Sequence, residues 1–157
     1  AYRYCHLDLT SRNVLLSDNF VPKICDFGLT IKLSGDGPGS SKRPLGRSPS
    51  YWRAPELGQP CHLGADGYGA KSDVFSYGMI LWEVFHAGQF PWQGDLQPDE
   101  RIGRGERPPI DDRLTTLDWR TVIEACWQIN PDARPHASDI VLWMDRNKQV
   151  LTNLSTL

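Results

Sequence analysis

Hydrophobic residues are packed most densely between Ser72 and Gly88, where they fall on every side of a helix. These apolar positions are Val74, Phe75, Tyr77, Met79, Ile80, Leu81, Trp82, Val84 and Phe85. A helix that is apolar all round is a buried helix. Ser72 suits the N-cap position and Gly88 the C-terminal stop. The pattern therefore predicts a buried helix at the centre of a domain.

Two amphipathic helices are predicted farther along, over residues 118–129 and 138–150. In the first helix, apolar side chains recur at helical spacing, and Pro131 stops the run. Ser138 is the expected cap of the second helix. The apolar positions are Trp119, Val122, Ile123 and Cys126 in the first helix and Ile140, Val141 and Met144 in the second.

The N-terminal part of the chain has a different pattern of apolar residues. The short apolar segments 14–16 and 21–24 are split by the turn-forming sequence Ser17-Asp18-Asn19, which predicts two strands in a hairpin-like arrangement. Residues 34–50 are rich in Gly, Pro and Ser and predict a long loop of the kind that is functional or disordered. The predicted fold class is α+β, mainly helical, with a small strand pair.

Composition and charge narrow the functional classes. The chain has 157 residues, with 17 Lys or Arg and 19 Asp or Glu, so its formal net charge is −2. This balance argues against a dedicated nucleic-acid-binding protein, which usually carries a basic surplus. No apolar run approaches the ~18 residues of a membrane-spanning helix, so none is expected in this segment. The four cysteines form no C-x-x-C pair, which argues against zinc and favours reduced thiols in a cytosolic environment.

Several polar motifs occur along the sequence in a particular order. The motifs are His6-Leu7-Asp8-Leu9-Thr10-Ser11-Arg12-Asn13, Asp26-Phe27-Gly28, Ala54-Pro55-Glu56, Asp73 with Gly78, and Cys126-Trp127 followed by Pro131-Asp132-Ala133-Arg134-Pro135. Each motif is weak alone, but the ordered set resembles the eukaryotic protein kinase signature, in its C-terminal lobe only.

The resemblance implies a partial protein kinase domain over residues 1–157. Its catalytic loop would be 6–13, its activation segment 26–56 and its helical C-terminal lobe 72–150. It also implies a protein kinase that transfers the γ-phosphate of ATP to a protein hydroxyl, with ATP and Mg²⁺ as cofactors. Its partners would be ATP and a protein substrate, and its location cytoplasmic, or the intracellular part of a membrane protein.

The same resemblance assigns roles to the polar residues near the strand pair. Asp8 would be the catalytic base, and Asn13 and Asp26 would hold Mg²⁺ on the phosphates. The strand pair is expected to carry the chain back so that Asp26 faces the loop that holds the other two. Leu15 would form the floor under the adenine ring. Arg12 follows the tyrosine-kinase habit at its position and is grouped with Asp8 as catalytic.

Other matched residues are expected to hold the fold. Asp73 would brace the catalytic loop by accepting backbone N–H bonds. Glu56 would pair with Arg134 as a buried ion pair. The rings of His6 and Phe27 would stack as part of a hydrophobic spine.

Departures from the family pattern bear on regulation and specificity. Leu7 stands where many kinases have an Arg that pairs with an activation-loop phosphate, so phosphorylation is expected to tune activity less. Thr10 replaces the Lys of serine/threonine kinases. The stretch Gly105–Ile110 looks more like the tyrosine-kinase-like group, and it favours Ser/Thr specificity, with Tyr as the alternative.

No Gly-rich loop and no V-A-I-K-type Lys precede His6 in this sequence. In a kinase these elements, on the N-terminal lobe, cover and position the phosphates. The chain alone is therefore expected to bind ATP very weakly and to lack measurable activity. The alternative function is a catalytically inert kinase-like scaffold or protein-binding module, which Leu7 favours slightly.

Overall fold

The computed structural model describes residues 3–33, 51–58, 68–94 and 97–154. Its strands are β1 (Arg3–Cys5), β2 (Val14–Leu16), β3 (Pro22–Ile24) and β4 (Ile31–Leu33), and its helices are α1 (Tyr68–Phe85), α2 (Pro98–Gly103), α3 (Leu117–Cys126) and α4 (Ala137–Leu154). The mainly helical α+β architecture was predicted. The expected loop at 34–50 and the position of Cys61 lie outside the described residues.

The predicted hairpin is present. Strands β2 and β3 pair antiparallel, with Val14 opposite Ile24 and Leu15 opposite Lys23. Ser17 closes the turn, because its backbone N–H donates to the Val21 carbonyl oxygen at 3.1 Å and its hydroxyl accepts from the Val21 N–H at 3.1 Å. The hairpin thereby brings the residue after β3 back beside the residue before β2.

A second strand pair was not predicted. Strands β1 and β4 pair antiparallel, with Tyr4 opposite Lys32 and Cys5 opposite Ile31. Each strand has three residues, too few to show a period-two pattern in the sequence. The pair flanks the hairpin along the chain and brings the two ends of segment 3–33 together.

Helix α1 is the buried centre of the fold, as its all-round apolar pattern predicted. Phe75 and Met79 are fully buried, although Val84 is 66% exposed. The expected cap was wrong, because α1 extends back to Tyr68 and Ser72 lies inside it. The predicted stop was right, since the Gly88 N–H donates to the Glu83 carbonyl oxygen at 2.9 Å in a left-handed turn, with φ of 75° at Gly88.

Helix α3 crosses α1 at close range. A Cβ added to Gly78 would lie 2.7 Å from the Cβ of Cys126, so only glycine lets the two helices approach this closely. Burial raises the pKa of the Cys126 thiol to about 12. A thiol that stays protonated suits the expectation of reduced, unreactive cysteines.

Helix α4 starts one residue earlier than predicted, and its cap differs. His136 is the N-cap, because its carbonyl accepts from the Asp139 N–H while the Asp139 carboxylate accepts from the His136 N–H at 3.0 Å. The expected cap at Ser138 is therefore wrong. Ile140 of the predicted stripe is buried, but Val141 is 55% exposed, and Trp143 packs on the core instead.

None of the described helices is both long and apolar enough to cross a membrane.

Candidate active site

The loop that carries Asp8 is tied to helix α1. The Asp73 carboxylate accepts the backbone N–H of His6 at 2.7 Å and that of Leu7 at 2.8 Å. The predicted brace is therefore confirmed. Burial raises the pKa of Asp73, and the two backbone hydrogen bonds oppose that shift. The brace holds the chain just before Asp8 against the buried central helix of the fold.

The imidazole of His6 joins this loop to the Asp26 segment. The Asp8 N–H donates to His6 Nδ1 at 3.3 Å, and His6 Nε2 lies 3.0 Å from the Cys25 carbonyl oxygen. This pattern places the ring proton on Nε2, where it donates to Cys25. The His6 and Phe27 rings are in contact, as expected, but they meet edge to face at 5.3 Å and are not stacked.

Asn13 lies against Asp8. Its side-chain Nδ2 donates to the Asp8 carbonyl oxygen at 2.8 Å and approaches the Asp8 carboxylate at 3.4 Å. The amide oxygen therefore points away from Asp8 and is open to a cation. The Asn13 carbonyl oxygen accepts the backbone N–H of Cys25 at 2.9 Å. Cys25 is the residue that precedes Asp26 in the sequence.

Asp26 sits in the left-handed region with φ of 60°, a strained conformation for a non-glycine residue. One carboxylate oxygen accepts the Gly28 N–H at 3.3 Å, and the side chain is exposed. Strained backbone of this kind is concentrated at functional sites, where it aims a side chain. The hairpin thus brings Asp26 to the same end of the strands as Asn13.

The donor set formed by these residues suits Mg²⁺. Asn13 offers an amide oxygen and Asp26 a carboxylate oxygen, both hard ligands. Among the described residues no three His, Cys, Asp or Glu side chains cluster as an all-protein metal site. Mg²⁺ bound to a nucleotide needs no such cluster, because substrate phosphates and water complete its shell.

Leu15 lies on β2, two residues after Asn13, and 56% of its surface is exposed. It therefore offers an open apolar side chain close in sequence to a polar residue of the candidate site. The role expected for Leu15, as the floor under an adenine ring, stays a prediction.

The Arg12 side chain contacts two aromatic rings. Its guanidinium carbon lies 5.8 Å from the ring centroids of both Trp52 and Phe90, close enough for cation–π attraction. Arg12 therefore packs against Trp52, two residues before Ala54, and against Phe90. The structure groups it with the residues that precede Ala54-Pro55-Glu56.

Glu83 is a site residue that the sequence did not single out. Its carboxylate is 8% exposed and accepts from the Ser11 hydroxyl at 2.9 Å and from the Trp52 indole N–H at 3.1 Å. A charged residue inside the apolar run of α1 was the available signal, because a buried carboxylate needs donors.

The expected ion pair between Glu56 and Arg134 is present, with Arg134 Nη1 2.6 Å from Glu56 Oε1. The Ser72 hydroxyl donates to the same oxygen at 2.7 Å.

Leu7 is the residue that departs from the family pattern before Asp8. Its side chain is buried in the core, and its backbone has a φ of 64°. An apolar side chain turned inward offers no donor to a phosphate.

Comparisons with known proteins agree with this geometry. The family model "Protein tyrosine and serine/threonine kinase" matches residues 1–144. Vascular endothelial growth factor receptor 2 of Coturnix japonica is 39% identical over 145 residues, covering 90% of this chain and 10% of the receptor. Vascular endothelial growth factor receptor 1 of Gallus gallus is 38% identical over 140 residues, covering 87% and 10%.

A third relative, fibroblast growth factor receptor homolog 1 of Drosophila melanogaster, is 37% identical over 150 residues, covering 93% of this chain and 20% of the receptor. The chain thus spans a tenth to a fifth of the length of these curated relatives. The kinase resemblance and the fold class expected from the motifs are both confirmed. With a family match over nearly its whole length, the chain belongs to the protein tyrosine and serine/threonine kinase family.

Proposed function

We propose that the protein containing this chain transfers the γ-phosphate of ATP to a hydroxyl group of a protein substrate. The observation that supports the proposal is the hydrogen bonding at one end of the β2–β3 hairpin. The Asn13 side chain donates to Asp8, and the backbone N–H of Cys25, the residue before Asp26, donates to the Asn13 carbonyl oxygen. Phosphoryl transfer requires this grouping of a base and cation ligands.

Each residue has a separate role in this proposal. The Asp8 carboxylate accepts the proton of the substrate hydroxyl, and the Asn13 amide nitrogen keeps that carboxylate oriented. The Asn13 amide oxygen and the Asp26 carboxylate hold Mg²⁺, which when bound neutralises charge on the ATP phosphates. Leu15 supports the adenine ring from below. Arg12 orders the segment before Ala54-Pro55-Glu56 through its contact with Trp52.

The proposed acceptor is tyrosine. The curated relatives are receptor tyrosine kinases, and they do not support the Ser/Thr preference that the stretch Gly105–Ile110 suggested. Arg12 follows the tyrosine-kinase habit at its position, and its guanidinium contacts the Trp52 ring. The proposed substrate is a protein tyrosine, and the proposed location of this domain is cytoplasmic, within a receptor or free.

The test uses the full-length protein with ATP, Mg²⁺ and paired peptides that differ only in Tyr or Ser as acceptor. Asp8→Asn should reduce phosphoryl transfer by about a thousandfold or more, because it removes the base and the negative charge beside the acceptor. Asp18→Asn, in the exposed hairpin turn, is the matched control and should leave the rate unchanged. The 157-residue chain alone, which carries no Gly-rich loop, is expected to show no turnover.

An inert scaffold is the second candidate, and the buried Leu7 favours it, because that side chain cannot link activation-loop phosphate to the catalytic loop. The two functions differ in one result. If wild type and Asp8→Asn transfer phosphate equally slowly while both fold, the scaffold replaces the kinase. A rate that depends on Asp8 rules the scaffold out.

A further inference from the structure

Two aromatic rings are stacked at the C-terminal end of α1. The Trp82 and His86 rings have centroids 4.1 Å apart and lie 12° from parallel, and both residues are buried. His86 directly follows α1, and its backbone N–H donates to the Trp82 carbonyl oxygen at 3.0 Å. The two side chains therefore lie one helical turn apart on the same face, and the stack fixes the plane of the imidazole.

The strap, defined as residues 109–111, is hydrogen-bonded to both rings. The Trp82 indole N–H donates to the Pro109 carbonyl oxygen at 2.9 Å, and the Asp111 backbone N–H donates to His86 Nε2 at 3.1 Å. The strap also lines a cavity of about 620 Å³, together with residues 89–93. A change at either ring is therefore transmitted to the strap and to the shape of this cavity.

The partners of His86 determine where its ring proton lies. Nδ1 is 2.7 Å from the Trp82 carbonyl oxygen, which can only accept, so Nδ1 carries the hydrogen. The backbone N–H of Asp111 can only donate, so Nε2 must offer its lone pair. Only the neutral imidazole satisfies both partners. A second proton, on Nε2, would place two N–H groups opposite each other across this contact.

Asp111 is the charged residue that faces His86 from the strap. Its carboxylate accepts from Arg113 Nε at 3.0 Å and from Arg113 Nη2 at 2.6 Å. These hydrogen bonds hold the pKa of Asp111 at about 2. The carboxylate is therefore ionised throughout the range from about pH 5 to 8 in which an imidazole changes its charge, and it is already bound to a cation.

The other elements around the imidazole have their charges engaged elsewhere. On α1, the Glu83 carboxylate accepts from two donors on other segments. Residues 89–93 include no charged side chain. The Arg101 guanidinium lies over the Trp92 ring, and Arg120 on α3 binds two carboxylates. Among the described residues, the ring itself is therefore the group here whose charge changes near neutral pH.

We infer that His86 is a pH-sensitive latch whose neutral ring holds the strap on α1 and whose protonation releases it. In the closed arrangement the protonated Nε2 would face a donor, and the Asp111 N–H would lose its acceptor. Movement of the strap relieves both conflicts and widens the cavity that the strap lines. The inference goes beyond the proposed function, because it does not depend on phosphoryl transfer.

The experiment is hydrogen–deuterium exchange of the full-length protein at about pH 7.5 and about pH 5.5, read by mass spectrometry in peptides that cover residues 110–115. The Leu114 and Thr115 N–H groups donate to the Asp111 carbonyl oxygen, so these amides report opening of the strap. After correction for intrinsic exchange, uptake in wild type should be faster at the lower pH by about tenfold or more. One linked proton can raise the open population by up to tenfold for each pH unit.

Two variants remove the titrating group in different ways. His86→Gln keeps a donor and an acceptor but does not titrate, so uptake in these peptides should differ by less than about twofold between the two pH values. His86→Phe keeps a ring on Trp82 without either nitrogen, so uptake should be fast at both pH values. The matched control is His136→Gln, which removes an exposed imidazole and should keep the wild-type response.

The outcomes separate the latch from general acid sensitivity. Thermal unfolding reports whether each variant is folded, and the folded one is used where the other is not. Wild-type uptake that does not rise at the lower pH overturns the inference without any variant. A wild-type rise that persists in His86→Gln or His86→Phe, disappears in His136→Gln, or occurs equally in peptides of α3 also overturns it.

Discussion

Glu56 and Arg134 form a two-pronged ion pair in the interior, with Nη1–Oε1 at 2.6 Å and Nη2–Oε2 at 2.8 Å. The Arg134 side chain is fully buried and that of Glu56 is 11% exposed. The pair joins the end of the predicted activation segment to the turn before α4. Arg134 also donates to the carbonyl oxygens of Gln128 and Lys71, so its charge is fully hydrogen-bonded.

Breaking this pair should be costly. Arg134→Met keeps an apolar stem but leaves the Glu56 carboxylate buried and unpaired, which we expect to lower the free energy of unfolding by about 3–5 kcal/mol. Arg134→Lys should recover only part of that loss, because an ammonium cannot bind both oxygens in parallel. Chemical denaturation measures both variants.

The control for this prediction is Arg113→Met. Arg113 pairs with Asp111 at 2.6 Å, but the Arg113 side chain is 88% exposed. Its loss should leave the unfolding midpoint unchanged, since exposed ion pairs contribute little. An equal effect of the two Met substitutions would contradict the role given to burial.

The Asp73 brace should give stability a specific pH dependence. Burial raises the pKa of Asp73 in the folded state, so the folded protein binds this proton more tightly than the unfolded chain does. The contribution of Asp73 to stability should therefore fall as the pH rises from about 4 through the raised pKa, and stay constant above it.

Asp73→Asn removes this titrating carboxyl group, so the difference between wild type and variant isolates its effect on stability. The free energy of unfolding of wild type, minus that of the variant, should decrease over the same pH window, as measured by denaturation at a series of pH values. At neutral pH the variant should lose activity by about tenfold or more, because an amide cannot accept both backbone N–H groups. A difference that grows with pH would contradict the predicted direction.

The crossing of α1 and α3 predicts a steric effect. Gly78→Ala places a Cβ 2.7 Å from that of Cys126, and we expect a loss of about 1–3 kcal/mol in the free energy of unfolding. Gly103→Ala meets no heavy atom within 4 Å and is the matched control. It should be neutral or stabilising by about 0.4–1 kcal/mol, because it restricts the unfolded chain. Equal destabilisation by both substitutions would contradict the close crossing.

Leu7 predicts weak control by activation-loop phosphate. Its buried side chain has no donor for a phosphate, so phosphatase treatment of the full-length protein should leave most of the activity. Mock-treated protein is the control, and mass spectrometry verifies phosphate removal. Collapse of activity after treatment would show that another residue makes this link.

Much of the fold was predictable because it depends on near neighbours. The apolar run of α1 and the turn chemistry at Ser17 act over a few residues, and both elements form where expected. Predicted helix starts were less accurate. Ser72 looked like a cap, but α1 begins at Tyr68, and the Ser72 hydroxyl donates to Glu56 from another part of the chain.

Motif order pointed to Asp8, Asn13 and Asp26 as the candidate site, and their catalytic roles stay predictions. The hairpin explains how Cys25, the residue before Asp26, comes back to Asn13. The contacts of Arg12 and Glu83 with Trp52 were not predictable, because Trp52 is distant from both in sequence.

The sequence by itself determined the kinase-type motif order, the buried central helix and the residue types available for chemistry, since these are properties of composition and local spacing. Only the tertiary structure decided which donors hydrogen-bond to Glu83, that β1 pairs with β4, and how closely α1 approaches α3. Such relationships depend on the packing of segments far apart in the chain, and no local pattern encodes that packing.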